Sequence, residues 1–281
     1  MLKPKDKRRE TGRKTLRNRL PAHLKSKRIQ VLSISAVIPN IATLLALCSG
    51  MTAIRMAMLE KWDLAVVALL IAAFLDGMDG RLARLLGSTS RFGAELDSFS
   101  DLISFGAAPA IVMYMKGLYK WGEMGWCIVL FFTVCMTLRL ARFNTRSIEG
   151  ESPTWSQGFF TGVPAPAAGY LALMPLMIQQ FWNAPIFESP LLYAVVMVVT
   201  GGLMVSRIPT FSLKKTKIPQ RLVLPIMLLA VLTASAVYSY PWLTLSIIGI
   251  IYISLIPFSV RSFKRVKSET EKLERQSLNE I

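Results

Sequence analysis

Residues 76–101 read DGMDGRLARLLGSTSRFGAELDSFSD. Eight positions form the skeleton of this stretch: Asp76, Asp79, Gly80, Ala83, Arg84, Gly93, Asp97 and Asp101. Long apolar runs flank it on both sides. A carboxylate beside such runs is costly unless it has a partner, so ionisable groups at the edge of a bilayer read as functional by default.

Outward from this stretch, the composition is that of a membrane protein. Hydrophobic residues make up 53% of the 281-residue chain and charged ones 18%, where a soluble domain carries about a quarter charged. Apolar stretches long enough to cross a hydrocarbon core of about 30 Å are predicted near residues 39–58, 63–84, 96–116, 122–142, 162–181, 189–206, 221–238 and 241–259. The expected fold is therefore an all-α integral membrane protein with about eight transmembrane helices.

Lysine and arginine set the orientation. The residues before position 31, the connections at 81–91, 139–146 and 207–221, and the tail after 260 together carry 29 of the 33. The other connections hold Arg55, Lys61, Lys116 and Lys120. The positive-inside rule places both termini and the four aspartates in the cytoplasm. An even number of spans with two basic ends agrees with this.

The N-terminal tail lacks a short apolar core with a small-residue cleavage site, so no cleaved signal peptide is expected. Its basic residues read as a topology anchor on anionic lipid. With no aromatic interleaving and no folded module to carry it, no nucleic-acid partner is expected. Cys48, Cys127 and Cys135 fall in apolar spans without metal-ligand spacing, where cysteine behaves as a small hydrophobe. His23 is the sole histidine, and histidine-based acid–base catalysis is not expected.

Asp76 and Asp79 are spaced i, i+3, and Asp97 and Asp101 are spaced i, i+4. On helices each spacing puts both side chains on one face. The second span descends to the cytoplasmic surface and the third leaves from it, joined through Gly87, Ser88, Thr89 and Ser90, which are turn formers. Two antiparallel helices joined this way bring four carboxylates together. Like charges at close range demand cations or protonation. Hard oxygen donors select Mg²⁺, Mn²⁺ or Ca²⁺, and one or two divalent ions are predicted. Gly80, Ala83 and Gly93 leave room for a bulky ligand, and Arg84 supplies a forked cation suited to phosphate. The bland reading of the small residues is tight helix packing; it accounts for any one of them better than for all eight positions together.

The full pattern from Asp76 to Asp101 resembles the signature of the CDP-alcohol phosphotransferases, with no departure at any position. The resemblance implies a polar, metal-containing cavity open to the cytoplasm, in which an alcohol attacks the β-phosphorus of a CDP-linked lipid and CMP leaves. It implies that Asp76, Asp79, Asp97 and Asp101 ligate two Mg²⁺ or Mn²⁺ ions, with Asp101 also the general base. Gly80, Ala83, Arg84, Ser90 and Gly93 resemble the residues around the cytidine diphosphate group. Asn40 and Thr43, in IPNIATLLAL at 38–47, resemble the start of the first family helix, which also touches the nucleotide.

Three further stretches narrow the acceptor: DLISFGAAPA at 101–110, LRLARFN at 138–144 and FTGVPAPAA at 160–168. They resemble the bacterial members that use L-serine, which implies CDP-diacylglycerol and L-serine as substrates and phospholipid synthesis at the inner membrane. Serine carries a carboxylate, and Arg139, Arg142 and Asn144 are the acceptor-binding candidates; positive-inside anchoring is the plainer reading of the two arginines. A homodimer is implied by the resemblance alone.

The expected organisation is a basic tail (1–32), a catalytic membrane core of six spans (33–206), two additional helices (207–260) and a second basic tail (261–281). Two rivals stay open. The first keeps the chemistry and changes the acceptor to glycerol 3-phosphate, inositol, inositol phosphate or choline. A cation transporter would place its carboxylates near the midplane, often in repeated halves; here they sit at helix ends and no internal repeat is found.

Overall fold

The computed structural model describes residues 34–149, 159–182, 184–206, 208–211 and 219–279. The basic N-terminal tail and all four basic residues between 207 and 218 lie outside the described residues, as does His23.

The chain is helical. Helices α1 (Ile34–Met58) and α2 (Trp62–Leu85) form an antiparallel pair. The third apolar stretch holds α3 (Arg91–Asp101), a π-helical turn (Leu102–Ala107) and α4 (Ala108–Lys116). Helix α5 (Glu123–Glu149) follows. The fifth stretch is split into α6 (Ala165–Ala172) and α7 (Met174–Phe181), and then come α8 (Pro190–Val205), α9 (Val223–Ser239) and α10 (Pro241–Asn279). Helix thus occupies each apolar stretch read from the sequence. Among the described residues, five helical stretches are long and apolar enough to cross a membrane: Val37–Met58, Arg91–Lys116, Glu123–Thr145, Gln220–Ser239 and Pro241–Phe263. The chain is a multi-pass membrane protein.

The all-α expectation needs one amendment. Strands β1 (Phe159–Thr161) and β2 (Pro209–Phe211) pair antiparallel, with Phe160 opposite Thr210. They bracket the α6–α8 segment and tie its two ends together.

Small residues let the helices approach closely, as membrane packing favours. Ala53 and Ala57 of α1 and Ala65, Ala68 and Ala72 of α2 are buried, and Ser49 Oγ donates to Ala68 O across the pair at 2.7 Å. The core beneath is filled by Phe132 and Met136 of α5, Leu171 of α6, Met177 of α7 and Tyr193 and Met197 of α8. By contrast α9 buries none of its residues, so the described chain leaves its leucine-rich surface largely uncovered.

The α2–α3 hairpin sets up the site. Helix α2 ends in a Schellman arrangement. Ser88 N donates to Ala83 O at 2.9 Å and Gly87 N to Arg84 O at 3.3 Å. Gly87 takes the left-handed conformation this requires, at φ +58°, where a Cβ would be strained. Three residues on, Ser90 caps α3 by accepting from Gly93 N at 3.0 Å, a bond that satisfies one of the free donors of the first turn. One short loop thus ends one acid-bearing helix and starts the other.

Candidate active site

Asp76 and Asp79 lie in the last three turns of α2, and Asp97 and Asp101 in the last two turns of α3. Carboxylate oxygens of Asp76, Asp97 and Asp101 all lie within 4.8 Å of one another. All three side chains are half-buried. Oδ1 of Asp101 is buried without a hydrogen-bond partner among the described residues. A buried oxygen left without a donor suits a cation, and an all-oxygen donor set suits a hard divalent ion. The residues present therefore fit Mg²⁺ or Mn²⁺.

Asp79 stands one step aside from this trio. Its side chain is 5% exposed, and its Oδ2 accepts a 2.6 Å hydrogen bond from Thr43 Oγ1 of α1. Thr43 is itself held by α3, because Ser100 Oγ donates to Thr43 O at 3.0 Å. One turn on, Ser104 Oγ donates to Ala46 O at 3.2 Å. These bonds stitch the carboxylate-bearing helices to α1. The spacing of the acids gave no sign of the Thr43–Asp79 pair, because the partners come from different helices.

Beside the acids lies a cavity of about 320 Å³, at the small end of the range for ligand pockets. Its wall brings together the residues expected around the cytidine diphosphate group. Asn40 and Thr43 line it from α1; Gly80, Ala83 and Arg84 from α2; Ser90 and Gly93 from the loop and α3. Asp79 and Asp97 line it too, so the cavity adjoins the acid cluster. The Arg84 Nε donates to Gly80 O of its own helix at 2.9 Å, which holds the side chain at the cavity wall. A Cβ built at Gly80 meets nothing within 4 Å; the room there belongs to the cavity. Ser88, Thr89 and Ala94 also line the wall, although the sequence marked the first two only as turn formers. Ser88 Oγ is buried without a partner among the described residues.

The three stretches beyond the acidic motif meet around its far side. The π-helical turn directly follows Asp101; such turns frequently accompany functional sites. A Cβ at Gly106 would meet Met136 Cγ at 2.9 Å, and one at Gly169 would meet Phe105 Cα at 3.1 Å. So the turn is enclosed by α5 and α6. Arg139 Nε donates to Val163 O at 2.8 Å, joining the second stretch to the third. Arg139 also lies within electrostatic reach of Asp76 and Asp101, and of Tyr252 from α10.

The other two acceptor candidates sit differently. The Arg142 guanidinium donates to Val205 O at 2.8 Å, Met204 O at 3.1 Å and Ser206 O at 3.3 Å. Asn144 Nδ2 donates to Ser98 Oγ at 3.0 Å, linking the end of α5 to α3. Of the three, Arg139 stands beside the carboxylates.

The chain matches the family model described as CDP-alcohol phosphatidyltransferase over residues 36–200, and that described as CDP-alcohol phosphatidyltransferase 2 over residues 221–257. It is 38% identical over 233 residues to a CDP-diacylglycerol–serine O-phosphatidyltransferase of Mycobacterium bovis, covering 80% of this chain and 79% of that protein. A Helicobacter pylori protein of the same name is 34% identical over 64% of this chain and 73% of its own length. One from Bacillus subtilis is 35% identical over 63% of this chain and 92% of its own length.

Proposed function

The chain belongs to the CDP-alcohol phosphatidyltransferase family, and we propose that it transfers the phosphatidyl group of CDP-diacylglycerol to L-serine, giving phosphatidylserine and CMP. The observation that carries this reading is that one cavity is lined by all seven residues expected to hold the nucleotide and reaches Asp97 of the acid cluster, with Asp79 beside it. Relatives named for the serine reaction support the acceptor.

In this reading Asn40, Thr43, Gly80, Ala83, Arg84, Ser90 and Gly93 hold the cytidine diphosphate group, with its diphosphate toward the aspartates. Asp76, Asp97 and Asp101 hold divalent cation, with Asp79 completing the set toward the cavity. A Mg²⁺ or Mn²⁺ ion bound there supplies charge neutralisation for the diphosphate. The Asp101 carboxylate takes the proton from the serine hydroxyl. The serine oxygen then forms a bond to the β-phosphorus, and the bond from that phosphorus to the bridging oxygen breaks. CMP departs with the bridging oxygen and its electron pair. Arg139, beside Asp76 and Asp101, pairs with the serine carboxylate, and Asn144 orders the α3–α5 edge of the same chamber.

The topology proposed is eight crossings of the inner membrane with both termini and the site on the cytoplasmic side, supported by the lysine and arginine distribution. Residues 33–206 then form the catalytic core and 207–260 two further helices between basic tails. A homodimer completes the reading, on family resemblance.

Incubation of the purified protein with CDP-diacylglycerol, Mg²⁺ and isotopically labelled L-serine tests the reaction. Labelled phosphatidylserine in the lipid extract is expected; its absence alongside CMP release to another alcohol would move the assignment within the family.

A further inference from the structure

The end of α8 is held by a device that the reaction chemistry alone does not call for. The last carbonyls of a helix lack intrahelical donors. Here those of Met204, Val205 and Ser206 all accept from the Arg142 guanidinium of α5, at 2.8–3.3 Å. A planar fork of donors is well matched to such a cluster. The segment running into α6 docks on the same end. Gly162 N donates to Ile208 O at 2.8 Å, Val163 N lies 3.5 Å from Leu203 O, and β1 pairs with β2 immediately before. Gly162 has φ +81°, and a Cβ there would stand 2.6 Å from Met204 O and 3.1 Å from Ser206 O. The same two carbonyls thus receive Arg142 on one side and the bare Cα of Gly162 on the other. The next carbonyl along, Val163 O, receives Arg139 Nε at 2.8 Å.

We propose that Arg142 is a positioning residue: it clasps the end of α8 against Gly162, and through Val163 O the clasp fixes Arg139 beside Asp76 and Asp101. This rests on the proposed phosphatidyl transfer and assigns Arg142 a role away from the acceptor itself. It also explains why a left-handed glycine stands at 162, where any side chain would push against the carbonyls that Arg142 binds.

The two roles leave different kinetic traces. A residue that binds the serine carboxylate raises the KM for serine when it is removed. A residue that acts through the placement of Arg139 leaves that arginine to hold the carboxylate but shifts the bound serine hydroxyl off line, so kcat falls instead; a misplacement of about 1 Å costs up to about 100-fold. Arg142→Ala, Arg142→Lys and Gly162→Ala, and the double variant Arg142→Ala/Gly162→Ala, are compared with wild type in detergent with CDP-diacylglycerol and Mg²⁺. Monodispersity and the KM for CDP-diacylglycerol serve as checks on folding.

The expected result is a kcat reduced about 10- to 100-fold in Arg142→Ala and Gly162→Ala alike, with the KM for serine within about twofold of wild type. Lysine at 142, which replaces some of the donors, recovers part of the loss. The double variant is expected to be no worse than the poorer single one, because both break one clasp. A selective rise in the KM for serine in Arg142→Ala, or normal kinetics in Gly162→Ala, would overturn the proposal. If Arg142→Ala fails to fold, Arg142→Lys and Gly162→Ala carry the same test. Should the wild type prefer another alcohol, the serine reading fails, yet the same split measured with that alcohol still decides the clasp.

Discussion

Thr43 and Asp79, thirty-six positions apart, share a 2.6 Å hydrogen bond that fastens the cavity-lining end of α1 to the acid-bearing end of α2. The hydroxyl donates and the carboxylate, only 5% exposed, accepts. Thr43 therefore does two jobs at once: it lines the cavity and fixes the rotamer of an acid at the boundary between cavity and acid cluster.

Replacing Thr43 by valine keeps the shape and removes the donor. A hydrogen bond to a charged group contributes roughly 1.5–3 kcal/mol, and leaving the carboxylate unsatisfied costs a similar amount. Thr43→Val is expected to lower the midpoint of thermal unfolding in detergent and to reduce CMP release at least about tenfold. Thr43→Ser, which keeps the hydroxyl, is expected to stay close to wild type in both measurements.

Gly80 and Gly93 face the same cavity and make opposite demands. Open space surrounds a Cβ at Gly80, whereas one at Gly93 would stand 3.1 Å from Asn40 Oδ1 and 3.2 Å from Ser90 Oγ. Gly80→Leu is expected to fold normally and to raise the KM for CDP-diacylglycerol by filling the cavity. Gly93→Ala should disturb the Ser90 cap as well, at about 1 kcal/mol, so its thermal midpoint should fall together with substrate affinity. Paired KM and unfolding measurements separate the two cases.

The π-helical turn behind Asp101 is wedged between glycines. A Cβ at Gly50 would meet Ser104 Oγ at 2.5 Å and Ser104 Cα at 2.7 Å, and one at Gly169 would meet Phe105 Cα at 3.1 Å. These contacts involve backbone, which yields less readily than a side-chain tip. Gly50→Ala and Gly169→Ala should each cost roughly 1–3 kcal/mol through overpacking and lower kcat by displacing Asp101. Stability and turnover measured on the same preparations check both effects.

The acid cluster should make turnover depend on a divalent ion. Dialysis against EDTA is expected to abolish CMP release, and Mg²⁺ or Mn²⁺ to restore it. Asp101→Asn removes both a proposed ligand and the proposed base, and turnover should fall at least about 1,000-fold, within the span for loss of a general base. Binding of CDP-diacylglycerol should survive, measured by equilibrium binding in detergent.

The sequence exposed what local spacing controls. The i, i+3 and i, i+4 acids, Gly87 and Ser90 follow from helix geometry and turn chemistry, and the helices lie where the apolar stretches do. The seven residues expected to hold the nucleotide all line one cavity, because the motif is compact and one hairpin gathers most of it. What stayed hidden depends on distant partners. Arg142 meets carbonyls some sixty positions away, and nothing around LRLARFN shows that its second arginine turns to α8 while its first turns to the acids. The β1–β2 pair was equally silent, since three-residue strands next to turn residues have no period to read. The break between α6 and α7 falls beside Pro175 and the π-helical turn runs up to Pro109; proline lacks the N–H that would continue the ladder, a local signal that the unbroken apolar runs covered.

The most direct test of the central claim is an acceptor comparison. CMP release by the purified protein is measured with CDP-diacylglycerol and Mg²⁺ against L-serine, glycerol 3-phosphate, inositol, inositol phosphate and choline, each supplied alone. Release with L-serine well above every other alcohol is the expected result. Release with glycerol 3-phosphate or inositol but not with L-serine would contradict it.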